Sequence, residues 1–482
     1  LSGVRMMSPV NWEEWMARVR EGAMADEGSV SKVVLISSVA ALGGFLFGFD
    51  TSVINGAVGA LASVFQAGDT AIGLAVSAAL IGSAVGAFVG GELADRLGRV
   101  RVMVVAAVLF AVSTVGSGLA FGLVDLSLWR LVGGIAVGIA SVIAPAYIAE
   151  IAPAHLRGRL GSLQQLAIVT GIFSALLVDY FIATQAGSAE SPYWFGLPAW
   201  RWMLLSELPI AIFYGVGALM IPESPRYLVA KKHDAKALTV LRTILGRGAE
   251  AKMGEIRRTI STEASGRFKD LRGRFGLLPI VWIGIALSVF QQFVGINVIF
   301  YYSSILWQAV GFSEKDSLAI TVITSVTNIV TTFIAIATVD RFGRKPLLIV
   351  GSVGMALTLG VLSFVFGSAP LDASGNPVLQ GAAGTVALFA ANLYVFCFGM
   401  SWGPVVWVLL GEMFNNRIRA HALALAGSAQ WVANFLVSAT FPALRTLSLG
   451  LAYGLYTASA LGSLFFVIFF IRETRGRELE DM

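Results

Sequence analysis

Three primary amides, Gln291, Gln292 and Asn297, fall close together within an apolar run that extends from Leu277 to Val310. An amide offers both donors and acceptors, and in hydrocarbon each unmet polar group costs several kcal/mol. Such a cluster needs polar company: another helix, water, or a ligand rich in hydroxyls. Gly295, among them, lets a partner approach the backbone. The segment is either a pocket for a neutral, hydroxyl-rich molecule or an interhelical seam, the commoner fate of a lone polar residue in a span. Three amides together favour the pocket. A second chemistry comes from Asp50 in the first apolar run and Arg130 in the fourth. A lone carboxylate at mid-membrane is costly as an anion, and a guanidinium on a long stem can reach it. The pair is either a proton site whose affinity depends on how close Arg130 stays, which is the favoured reading, or a permanent ion pair. Glu207 and Asp179 are further intramembrane carboxylates, Asp179 near the outer end of its run and so open to hydration.

These residues must be positioned by membrane helices. The 482 residues are 56% hydrophobic and 13% charged, with mean hydropathy +0.78. No soluble chain of this length hides that much apolar surface. The runs are continuous rather than alternating, which excludes a β-barrel. At ~20 residues per span they divide into about twelve helices. Six fall between residues 32 and 221 and six between 276 and 472, separated by a charged stretch at 222–275 that should form short cytoplasmic helices. Residues 1–31 are polar, with Trp12, Trp15, Met16 and Val19 marking one face of a short interfacial helix, and 473–482 form a short tail. No signal peptide is expected. The single cysteine, Cys397, rules out an intramolecular disulfide. The net charge of +5 reflects loops on one side of the membrane and does not imply nucleic acid. Arg96, Arg99, Arg101, Arg157, Arg159, Arg341, Arg344, Lys345, Arg417, Arg419, Arg472 and the 222–275 segment share that side. Both termini are therefore expected in the cytoplasm, in a multi-pass protein of the plasma (inner) membrane.

The chain repeats itself. Asp95-Arg96-Leu97-Gly98-Arg99 returns as Asp340-Arg341-Phe342-Gly343-Arg344, and Glu150 before Arg157 returns as Glu412 before Arg419. Glu223-Ser224 has a weaker echo in Glu473-Thr474. Recurrence of three landmarks in the same order predicts two homologous six-helix bundles, an arrangement suited to one half rocking on the other around a central ligand.

Gly91 with Asp95-Arg96-x-Gly98-Arg99, Pro222-Glu223-Ser224-Pro225-Arg226, Phe290 to Asn297, and Ser401-Trp402-Gly403-Pro404 together resemble the sugar porter family of the major facilitator superfamily, over Val33 to Leu479. Within it the chain is most similar to bacterial glucose transporters and then to xylose–proton symporters. One departure is Ile336, where the second loop motif should carry glycine; it weakens packing arguments for the second half. The resemblance implies an all-α membrane fold of twelve helices in two pseudo-symmetric bundles, and a monosaccharide carrier needing no cofactor beyond a coupling proton. It implies a sugar site of Phe47, Gln165, Gln291, Gln292, Asn297, Asn328, Trp402, Trp407, Gln430, Trp431 and Asn434. Amides pair with hydroxyls, and an indole offers an apolar face and one N–H. Ile172 stands where xylose symporters carry glutamine, which tilts the expectation toward a hexose. Asp50 with Arg130, and less strongly Glu207, carry the proton. Asp95, Arg96, Arg99, Glu150, Arg157, Glu223 and Arg226 in one half, with Asp340, Arg341, Arg344, Glu412 and Arg419 in the other, form ion-pair networks that bias one conformation over another.

Other functions fit less well. A drug–proton antiporter would show a proline-rich fifth span, and 160–184 contains no proline. A membrane sugar sensor needs a long tail for partners, and little follows Arg472. An enzyme needs a nucleophile or metal set; there is no His-Glu-x-x-His, and His155, His233 and His421 all lie outside mid-span. The expected function is proton-coupled symport of a hexose such as D-glucose by a monomeric carrier in the bilayer. Uniport of the same sugars and pentose (xylose) symport remain the alternatives.

Overall fold

The computed structural model describes residues 12–153, 157–262, 268–274, 276–372, 377–379, 381–414 and 418–474. The side chains of residues 12–29, and with them the expected apolar face of Trp12, Trp15, Met16 and Val19, lie outside the described residues. Among the described residues, 12 helical stretches are long and apolar enough to cross a membrane. In the first half, span one is α1 (Trp12–Ser52) continued by α2 (Ile54–Val64), and spans two to five are α3 (Asp69–Leu97), α4 (Arg99–Gly118), α5 (Leu123–Ile151) and α6 (Arg157–Ala186). Span six is α7 (Ala199–Leu205) with α8 (Leu208–Met220). Three helices, α9 (Pro225–Ala230), α10 (Asp234–Leu245) and α11 (Ala249–Thr262), then form the linker. In the second half, span seven is α12 (Pro279–Phe293) with α13 (Ile296–Ala309), followed by α14 (Glu314–Phe342) and α15 (Arg344–Ser368). Span ten is α16 (Ala383–Gly399) with α17 (Trp402–Met413), and α18 (Arg419–Leu447) and α19 (Leu449–Phe470) complete the bundle.

Four spans that read as continuous runs in the sequence are broken in the structure. Pro209 and Pro404 lack the N–H that would bond to the carbonyl four residues back, so span six breaks after Leu205 and span ten after Gly399. Gly295 breaks span seven in a left-handed conformation, φ +83°. Span one breaks at Val53, where neither proline nor glycine stands.

The halves meet through α3 on α18, α6 on α14 and α2 on α13. Within the first half, α3 and α5 approach backbone to backbone: Gly82 and Gly86 leave no room for a Cβ beside Leu131 and Ile135, nor do Gly134 and Gly138 beside Ala79 and Ser83. Small residues one turn apart supply close packing where lipid supplies no hydrophobic drive. Large apolar side chains such as Phe88, Phe364 and Phe389 face outward, as lipid contact requires. The linker has its own small core of Leu228, Val229, Ala237, Leu241, Ala249 and Met253.

The repeat is physical as well as textual. Gly98 (φ +100°) and Gly343 (φ +93°) turn the chain from the second helix of each half into the third. After the turn, Arg99 grips Glu150 with two bonds of 3.0 and 2.9 Å. Arg344 grips Glu412 likewise at 3.0 and 2.7 Å. Glu223 accepts from the Arg99 N–H at 2.9 Å, and Glu473 from the Arg344 N–H at 3.0 Å. Each corner thus binds four chain segments of one half around a single arginine. Ile336, in place of a motif glycine, is harmless here: it is exposed, and a Cβ at the matching Gly91 would meet nothing within 4 Å.

A Cβ at Gly98 would strike the Glu223 carboxylate and require a left-handed alanine. Gly98→Ala should therefore cost about 1–3 kcal/mol in thermal unfolding of the detergent-solubilised protein, while Gly91→Ala leaves it unchanged.

Candidate functional site

The breaks collect the polar side chains. At span one, Arg130 on α5 donates to the Asp50 carboxylate at 2.8 Å and to the Asp50 carbonyl at 2.9 Å, with both side chains only 3% exposed. Glu207, in the break of span six, is the direct side-chain neighbour of Asp50 and accepts from Thr114 at 3.0 Å. Asp50 Oδ2 and Glu207 Oε1 have no donor. A hydrogen between the two carboxyl groups would satisfy both. Gly133 lets α5 pack close beside them, since a Cβ there would strike Ser113 Oγ.

The amides of span seven form a chain around its break. Asn297 donates to Gln292 at 2.5 Å and Gln292 to Gln291 at 3.3 Å. Gln291 donates to the carbonyls of Trp402 and Gly403, at 2.9 and 3.1 Å, just past the break in span ten. In return, Tyr394 of α16 donates to the Val294 carbonyl at 2.7 Å. What approaches Gly295 is the Tyr456 ring, 2.7 Å from where a Cβ would sit. Spans seven and ten are thereby locked together, with Gln291 as the strut and Asn297 half-buried at the free end.

The two indoles of span ten part company. Trp402 is fully buried, and its N–H is spent on Ser352 Oγ at 2.9 Å and the Leu348 carbonyl at 3.2 Å. The N–H that sequence reasoning offered to a ligand goes instead to α15. Trp407, by contrast, is 43% exposed. On α18, Trp431 meets Phe47 of the other half with ring centroids 5.3 Å apart, Gln430 keeps a buried Oε1 without a donor, and Asn434 donates to the Tyr301 hydroxyl at 3.3 Å. Asn328 lies against Gly399 at the end of α16. Gln165 and Ile172 are half-buried on α6, Ile172 where α6 crosses Gly48 of α1.

Three residues escaped the sequence reading. The Tyr301 hydroxyl lies between Asn434 and Thr51 and within the field of Asp50 and Arg130, joining the charged cluster to the amides. Gln164, beside the expected Gln165, is buried against Gly44 with both amide atoms unpartnered. Asn55 docks on α13: it donates to the Phe300 carbonyl at 2.8 Å, accepts from the Ser304 N–H at 3.1 Å, and its carbonyl accepts from Ser304 Oγ at 2.6 Å. Adjacent glutamines and an Asn-Gly pair were the available signals, but neither reveals which helix faces them.

Asn55 closes the end of the bundle away from the linker. Three further bonds across the halves lie there, from the Ala189 N–H to Glu314 at 3.0 Å, from Arg445 to Asp69 at 3.4 Å and from Thr446 to Asp69. At the linker end, the described ion pairs between helices of the bundle each stay within one half. There Asp95 pairs with Arg99 at 3.0 Å, Arg96 with Glu92, and Arg341 lies over the Phe342 ring. Arg226 borders a cavity of about 260 Å³ shared with Arg99, Tyr227 and Lys231. The side chains of Arg157, Asp340 and Arg419 lie outside the described residues.

The family described as "Sugar (and other) transporter" matches residues 36–482. The "Glucose transport protein" of Synechocystis sp. is 62% identical over 457 residues, covering 94% of this chain and 97% of that protein. The "D-xylose-proton symporter" of Escherichia coli is 39% identical over 488 residues, covering 94% and 95%. Among solved structures, the xylose transporter XylE from E. coli in a partially occluded inward-open conformation superposes with TM-score 0.78 at 38% identity, covering 92% of this chain and 100% of that one.

Because Trp402 holds α17 to α15 through its N–H, Trp402→Phe should lose about 1 kcal/mol of stability by removing that buried bond. Trp407→Phe should leave the unfolding temperature unchanged in the same thermal assay.

Proposed function

The chain belongs to the sugar transporter family, a family of carriers and not of enzymes, and from that premise we propose that it moves a hexose such as D-glucose across the membrane together with a proton. The observation that carries this reading is the buried Asp50–Arg130–Glu207 cluster, which lies one residue from Thr51 and so beside the Tyr301 hydroxyl that Asn434 bonds in the opposite half. Symport requires that proton and sugar sites communicate, and the Tyr301 hydroxyl stands between Asn434 of the amide set and Thr51, the residue next to Asp50. The proton sits between the Asp50 and Glu207 carboxyl groups and loosens the hold of Arg130 on Asp50.

The sugar lies between the halves. Its ring rests on Trp407, and its hydroxyls meet Gln165, Gln292, Asn297, Asn328, Gln430 and Asn434, with Phe47, Ile172 and Trp431 closing the apolar side. Gln291 and Trp402 hold the frame that presents these groups. The 62% identity to a glucose transport protein supports hexose over pentose, and the 39% identity to a proton symporter supports coupling. Residues 32–221 and 276–472 move as two bodies about the site, and the linker end, with both termini, faces the cytoplasm of a plasma (inner) membrane. The corners built on Arg99 and Arg344, with Asp95, Arg96, Glu150, Arg157, Glu223, Arg226, Asp340, Arg341, Glu412 and Arg419, stiffen each half and meet across the linker end when that end shuts. The carrier works as a monomer.

Glucose uptake into proteoliposomes, with and without an inward proton gradient, tests the reading. The wild type should accumulate sugar only with the gradient, whereas Asp50→Asn should lose accumulation and keep exchange. Gradient-independent equilibration by the wild type would make it a uniporter, xylose outcompeting glucose would make it a pentose carrier, and binding without flux would make it a sensor. Gln430→Leu should weaken glucose binding roughly tenfold by removing one hydroxyl partner.

A further inference from the structure

Span one is opened over a single turn, and the residues that open it come from other helices. In an unbroken helix the Asp50 carbonyl would accept from Ile54 and the Gly56 N–H would donate to Ser52. The ladder is interrupted at Val53. Arg130 of α5 takes the Asp50 carbonyl at 2.9 Å, and Asp179 of α6 takes the Gly56 N–H through Oδ2 at 3.1 Å. The Val53 N–H still bonds the Phe49 carbonyl at 2.9 Å; no proline stands at the break beyond it, and a side chain inserted into the ladder is an ordinary cause of such an interruption.

Asp179 is costly where it is. It is fully buried in a membrane span, and its other oxygen, Oδ1, has no partner. Gly56 is the residue that admits it: a Cβ there would lie 2.6 Å from the Asp179 carboxyl carbon. The residue beside Gly56 is Asn55, whose amide fits between the Phe300 carbonyl and Ser304 N–H of the opposite half. The bond from Asp179 and the latch across the halves therefore share the first turn of α2.

We propose that Asp179 is a positioning residue that holds the ladder of span one open past Val53, so that Asn55 is delivered to α13 and the end away from the linker is shut. Without it, the Gly56 N–H returns to the Ser52 carbonyl, the ladder closes, and Asn55 swings off its rung. Arg130 is the other wedge in the ladder and belongs to the proton site; Asp179 is dedicated to the opening. The consequence for transport rests on the alternating-access reading above, but the geometry and its test need neither sugar nor proton.

The test follows the far end directly. Cys397 is the only cysteine, so Cys397→Ala gives a background into which Ile305→Cys places one thiol where α13 faces Gly59 of α2. The rate of modification by a membrane-impermeant maleimide then reports opening. Asp179→Val, which removes the acceptor, should raise that rate roughly tenfold, and Asp179→Asn, which keeps an oxygen for Gly56, should hold it within about twofold. Gly56→Ala, which pushes the carboxylate off the ladder, should match Asp179→Val and carries the test alone if that variant does not fold. Wild-type labelling in folded Asp179→Val or Gly56→Ala would overturn the proposal, as would Asp179→Asn labelling as fast as Asp179→Val. Absence of glucose transport would sink the functional reading and leave this result standing.

Discussion

In hydrocarbon a helix cannot be broken without finding partners for the backbone groups it releases, and this constraint arranges most of the protein's polar interior. At Val53 the partners are Arg130 and Asp179. At Val294 the released carbonyl goes to Tyr394, and beyond the break in span ten the carbonyls of Trp402 and Gly403 go to Gln291. Each of these three breaks is held by a side chain from another span. The same side chains would be expensive anywhere else at this depth, so cost and placement have one explanation.

The two halves use one frame for different chemistry. Their corners are alike, Arg99 with Glu150 and Glu223 against Arg344 with Glu412 and Glu473. Their centres are not. The first half buries charge, in Asp50, Arg130 and Glu207; the second supplies amides and indoles, in Gln291, Gln292, Asn297, Trp407 and Gln430. Charge suits a proton and neutral amides suit hydroxyls, and the Tyr301 hydroxyl lies between the two sets, bonded to Asn434 and beside Thr51.

Much of this was legible in the sequence. Twelve apolar runs, a repeated loop motif and an internal acid opposite an arginine each leave a mark along the chain, and the fold, the corners and the Asp50–Arg130 pair correspond to those marks. The missing parts depend on which way a side chain turns. Trp402 and Trp407 look equivalent as residues in one span, yet one donates to α15 and the other stands open. Gln164 and Gln165 are adjacent, and only helix rotation decides which is buried. Asp179 read as a hydrated acid near a span end because its partner is a backbone amide, which no side-chain pattern announces. The break at Val53 was invisible for the same reason.

The seat of Asn55 has a mechanical consequence. Its amide bonds a carbonyl and an N–H that lie four residues apart on α13, the spacing of an ordinary helical bond, and α13 runs unbroken through both. On withdrawal those two groups keep their places in an unbroken helix, so α13 itself is not opened when Asn55 leaves. A machine that must visit latched and unlatched states on every turnover is served by a clasp whose receiving helix stays whole whether or not it is engaged.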